Sequence, residues 1–124
     1  MSERATRIPT WCGDEEWCPM VATSAVLGRK WHPVIVQRLL DGGPMHFGEL
    51  EDSIPGVSGK VLSESLDDLQ AKGLVEREVV ATKPVRVRYS LTPEGRGLED
   101  AIDALHEWGQ AYLGEAPDPD ESVI

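Results

Sequence analysis

Three groups of side chains in this chain are spaced so that they could do chemistry. The first is Ser58, Gly59, Lys60, Ser63 and Glu64, crowded into one short stretch. Serine hydroxyls can bond base edges or phosphate, a lysine can reach guanine or phosphate, and a carboxylate can accept from a cytosine amino group. The second is Lys83, Arg86 and Arg88, three cations within Val79–Pro93, a window with no acid. Such a run can grip phosphates or enter a narrow A·T minor groove. The third is a pair of thiols, Cys12 and Cys18. A cysteine at a helix start can have its thiolate favoured by the helix dipole, whereas the neighbouring Asp14-Glu15-Glu16 run opposes this.

Each group also has an ordinary reading. Ser63, Glu64 and Ser65 fit a plain exposed helix face, and Arg86 or Arg88 can pair with Glu76 and Glu78 across a hairpin. Cys18 can be a packed core thiol. The spacing of Cys12, Cys18 and His32, His46 or His106 matches no zinc pattern, so no metal or cofactor is expected. No nucleophile–base–acid set, glycine-rich phosphate loop or HExxH-like helix is present, and an enzyme is not expected.

The elements that must position these groups are legible from periodicity and punctuation. Pro19 and Pro33 suit helix first turns, predicting helices over Met20–Leu27 and from Pro33 to the Asp41-Gly42-Gly43-Pro44 stop. Met45-His46-Phe47 reads as a short strand. Phe47, Leu50 and Ile54 lie on one helical face, and Pro55-Gly56 makes a turn. Ser58 is a good N-cap for a helix whose Leu62, Leu66 and Leu69 face the core and which stops at Gly73. Val75–Val80 and Val85–Leu91 read as strands joined at Ala81–Pro84. In the second, Val85, Val87 and Tyr89 are expected inward and Arg86, Arg88 and Ser90 outward. Thr92-Pro93-Glu94 starts what reads as one long helix. Its stripe of Leu98, Ile102, Leu105, Trp108 and Tyr112 is expected, with Trp17, to form a dimer interface.

The order of these elements predicts an α+β fold, a winged helix-turn-helix with N-terminal and C-terminal dimerisation helices. In that layout one helix enters a DNA major groove and a hairpin tip touches the backbone. A flexible arm is expected over 1–17, the domain over 18–114 and an acidic disordered tail over 115–124.

Charge is the observation that sits least easily with DNA. The 124 residues carry 12 basic and 22 acidic side chains, a net of −10. The surplus is uneven: residues 1–57 sum to −3, 58–93 to +1 and 94–124 to −8. Acid is therefore concentrated away from the proposed DNA-facing segments. So few lysines against 22 carboxylates is the balance of a protein from a high-salt, halophilic setting. There the Debye length falls to about 3 Å at 1 M, and binding must lean on close fit and dimerisation. No apolar run approaches the ~18 residues of a membrane span, and no leader pattern opens the chain, so a soluble cytoplasmic protein is expected.

The chain resembles the HxlR-type winged-helix regulators, relatives of the MarR group. The matching residues run from Cys18-Pro19 through Leu27-Gly28-Arg29-Lys30-Trp31, Phe47-Gly48-Glu49-Leu50 and Ile54-Pro55-Gly56-Val57-Ser58. They continue with Lys60-Val61-Leu62, Gly73-Leu74-Val75, Tyr89-Ser90-Leu91-Thr92, Gly95, Leu98 and Trp108. The resemblance implies a homodimer with interlocked terminal helices that binds double-stranded DNA and regulates nearby genes. It also implies sensing of an oxidant or small electrophile at Cys18. Arg88 departs from the family pattern, which has an acid before the closing Tyr89, and the Lys83–Arg86 tip departs too. A winged-helix module that binds protein instead of DNA is the alternative. A thiol sensor with no DNA role would require an exposed, reactive Cys18.

Overall fold

A computed structural model describes residues 18–113. The expected arm, including Cys12 and Trp17, and the expected tail over 115–124 lie outside the described residues. Helices α1 (Pro19–Leu27) and α2 (His32–Gly42) each hold a proline in the first turn, where a missing N–H leaves nothing unpaired. Strand β1 (Met45–His46) leads into α3 (Phe47–Ser53), and the Pro55-Gly56 turn leads into α4 (Gly59–Ala71). Strands β2 (Val75–Thr82) and β3 (Val85–Leu91) form the hairpin, followed by α5 (Pro93–Arg96) and α6 (Glu99–Leu113). The expected α+β winged helix-turn-helix is the fold observed.

The core forms where the apolar periodicity places it. Leu62, Leu66 and Leu69 of α4 are fully buried against Ile35, Val36 and Leu39 of α2, with Leu50, Ile54, Val75, Tyr89, Leu91 and Ile102 completing the cluster. Burial of each such aliphatic side chain contributes about 1.5–3 kcal/mol. Helix α4 begins at Ser58, whose Oγ accepts from the Val61 N–H at 3.1 Å. It ends where Gly73 takes a φ of +78°, a conformation that costs other residues a Cβ clash. There the Gly73 N–H donates to Gln70 O and the Leu74 N–H to Leu69 O, both at 3.0 Å, closing the last turn.

The sheet runs in the order β1-β3-β2, all antiparallel. Its base is anchored by Val75 opposite Leu91, both buried. The tip is not. Pairing skips Val80, with Val79 opposite Val87 and Ala81 opposite Arg86, so a bulge interrupts the alternation. Val85, expected inward, is 65% exposed, and Val79 and Val80 are exposed beside it. Beyond the bulge the hairpin has left the core, and strand alternation there no longer has a core side.

The C-terminal segment also departs from expectation. In place of one long helix from Thr92, there is a single turn, α5, then a break at Gly97-Leu98, then α6. Thr92 Oγ1 accepts from the Gly95 N–H at 3.1 Å and donates to Gly73 O at 2.6 Å, tying α5 to the end of α4. Gly95 is pressed so close that a Cβ there would lie 2.2 Å from Leu74 O. Two glycines within one turn weaken helix continuity, and the break lets α6 lay Ile102 onto α2. No helix among the described residues is long and apolar enough to cross a membrane.

Candidate nucleic-acid interface

Burial of the leucine stripe of α4 turns its opposite face outward by helix geometry alone. Ser58, Lys60, Ser63 and Glu64 are exposed, and Asp67 continues the same stripe. Ser65, grouped with the exposed face from the sequence, is instead buried in the core. Ser58 uses one acceptor lone pair on the cap and keeps its O–H donor and a second lone pair. Gly59 is half-buried, and a Cβ at that position would stand 3.2 Å from Glu51 Oε2. A carboxylate from α3 thus borders the first turn of α4, whose open N–H groups favour anions. Glu51 carries no signal in the sequence, because only the α3–α4 turn brings it there.

On the hairpin, Lys83 and Arg86 are exposed and take part in no ion pair among the described residues. Arg88 is different. It lies directly opposite Glu78, and its Nη2 donates to Glu78 Oε1 at 2.7 Å. With 42% and 61% of these side chains exposed, the pair contributes at most about 1 kcal/mol, and a phosphate can compete for the arginine. The cross-strand alternative weighed for the arginines thus applies to Arg88.

Cys18 is a free thiol at the N-cap of α1, exposed rather than packed among the described residues. Among the described residues no cluster of His, Cys, Asp and Glu could hold a metal ion. The expected dimer stripe divides. Ile102 is buried in the chain's own core and Leu98 packs partly against it, because the break before α6 turns both inward. Leu105, Trp108 and Tyr112 remain exposed, with the Trp108 and Tyr112 rings 5.3 Å apart. Met20 and Val21 of α1 are exposed as well.

One polar cluster had no counterpart in the sequence reading. His32 Nε2 lies 2.7 Å from Asp68 Oδ2, and Lys72 Nζ bonds the same oxygen at 2.8 Å. The Lys72 hydrogen bond, helped by His32 and opposed by burial, holds the Asp68 carboxyl below the usual carboxylate range. An ionised Asp68 only accepts, so His32 Nε2 is the donor. Asp68 and Lys72 are one helical turn apart and legible as a pair. His32, 36 positions away, joins them only through the packing of α2 on α4.

The HxlR-like helix-turn-helix family matches residues 26–117. The HTH-type transcriptional regulator YvaP of Bacillus subtilis is 36% identical over 99 residues, 79% of this chain and 91% of its own. The structure of redox regulator HypR in its reduced form aligns with a TM-score of 0.73 at 34% identity, covering 78% of this chain and 95% of that one. Reduced YodB of B. subtilis aligns at 0.67 and 33% identity, covering 82% of this chain and all of that one. YodB is also known in a quinone-bound form. An outward stripe on a capped helix, followed by a protruding cationic hairpin, occurs here in a chain that belongs to the HxlR-like helix-turn-helix family of DNA-binding transcriptional regulators.

Proposed function

We propose that this regulator binds double-stranded DNA as a homodimer, with α4 in the major groove and the β2–β3 tip on the adjacent backbone. The observation that carries the reading is the outward Lys60-Ser63-Glu64 stripe on α4 together with the exposed Lys83 and Arg86. In this reading Ser58, Gly59, Lys60, Ser63 and Glu64 approach base edges and the nearest phosphate. Lys83, Arg86 and Arg88 hold the flanking backbone. Leu105, Trp108 and Tyr112, with Met20 and Val21, supply apolar surface that a second copy can cover.

Cys18 is proposed as the point at which an oxidant or small electrophile acts. Its exposure at a helix start supports this, as does the redox-regulator description of HypR and the quinone-bound state of YodB. The acid surplus fits work at high salt, where counterion release yields little affinity and base contacts carry more of the binding.

The test is fluorescence anisotropy of the purified protein on DNA upstream of its own gene, at high potassium chloride, against a scrambled duplex. Saturable, sequence-selective binding is expected. Absence of binding by protein shown to be folded and dimeric in that buffer would move the assignment to a protein-binding winged helix.

A further inference from the structure

The leucine face of α4 decides which side of the helix is outward, and the fine rotation and height of that outer stripe need a sharper constraint. Leu62, Leu66 and Leu69 hold the helix against the core through apolar contacts, which are non-directional and define its rotation less sharply than an oriented bond does. Hydrogen bonds are directional, and one cluster supplies them. Asp68 sits one position beyond the outward Asp67 and is gripped by His32 at the start of α2 and by Lys72 one turn on. Lys72 Nζ also donates to Ala25 O, in the last turn of α1, at 3.1 Å. Three helices therefore meet on one carboxylate and its ammonium partner.

The composition of the cluster is informative. His32 is completely enclosed, its Nε2 serves Asp68, and its Nδ1 is buried with no hydrogen-bond partner among the described residues. A site that needed only packing would be better filled by an aliphatic side chain, because a buried polar atom left unpaired is destabilising. Enclosing an imidazole costs desolvation, and the 2.7 Å bond to Asp68 is what offsets it.

Resting on the DNA-binding reading, we infer that His32 and Asp68 are positioning residues, which set the rotation and height of α4 so that its outward stripe meets the bases. They touch no DNA themselves. Their loss should therefore damage base readout and spare the phosphate contacts of the hairpin.

Four proteins test this: the natural chain, His32→Leu, His32→Gln and Asp68→Asn. Each is measured by anisotropy on the operator and on a random duplex, with thermal unfolding alongside. His32→Leu should stay folded, with a melting temperature equal to or above the natural one. It should still lose operator affinity by about tenfold or more, the worth of one good base contact. Random-duplex affinity should stay within about twofold, since phosphate contacts dominate it. Asp68→Asn should lose operator preference in the same way. His32→Gln, whose amide can donate at nearly the reach of Nε2, should restore most of it.

If His32→Leu and Asp68→Asn keep the natural operator-to-random ratio, the cluster is packing only and the inference is overturned. Equal losses on both duplexes overturn it as well. Failure of the natural protein to prefer any operator would instead remove the DNA-binding reading beneath it.

Discussion

Lys60 and Arg86 should fail in different ways when truncated. Arg86 is exposed on the hairpin and is proposed to meet phosphate only. Arg86→Ala should weaken binding to every duplex alike and lower the slope of log K against log salt by about one. Adding Arg88→Ala should deepen the loss modestly, because Glu78 already shares that side chain. Lys60→Ala should in addition change which sequences are preferred, which binding to a randomised duplex library would reveal. Asp68 makes a pH prediction at the same scale. Its folded value lies below the ordinary 3.8, so its contribution is fully present above that value and is lost as pH falls through the lower folded one. Urea midpoints for the natural chain and Asp68→Asn should differ by a constant amount near neutrality. That gap should narrow below about pH 4.

Helix α4 and the α5 turn show where an element depends on one residue. Ser58→Ala removes the side-chain cap of α4 and should cost about 1 kcal/mol in urea unfolding. Gly95→Ala should cost more, about 2 kcal/mol, as its Cβ would overlap a backbone carbonyl that cannot move aside like a flexible side chain. A Gly95→Ala protein as stable as the natural one would mean that α5 is not held against Leu74 as described. The hairpin behaves oppositely. Past the bulge its side chains bury little, so Val85 substitutions should leave stability nearly unchanged.

At the scale of the whole molecule, α6 serves two masters. Ile102 belongs to the core, and Ile102→Ala should destabilise by about 2–5 kcal/mol whatever the oligomeric state. Trp108 is 55% exposed and proposed to meet a second copy, so Trp108→Asp should yield a folded monomer by light scattering, with weakened operator binding. A Trp108→Asp protein that remains dimeric would remove this face from the proposed interface. The −10 charge acts here too: self-repulsion among carboxylates opposes compaction, and added potassium chloride should raise the melting temperature.

Up to Leu91 the sequence by itself determined the elements and their order, because these follow from local physics. Leucines at helical spacing, Ser58 before them and Gly73 after them leave α4 little choice, and the same holds for the core it builds. The outward residues of α4 follow as the complement of that stripe, which is why most of that candidate surface was legible. Ser65 was the exception. The tertiary structure decided what depends on distant partners. The bulge at Val80, the Arg88–Glu78 pair, the break that turns Ile102 inward and the exposure of Cys18 are set by neighbours outside any local window. His32 is the clearest case. In the chain it is a lone histidine after a tryptophan, and only the docking of α2 on α4 brings it to Asp68, because directional bonds between remote positions leave no periodicity to read.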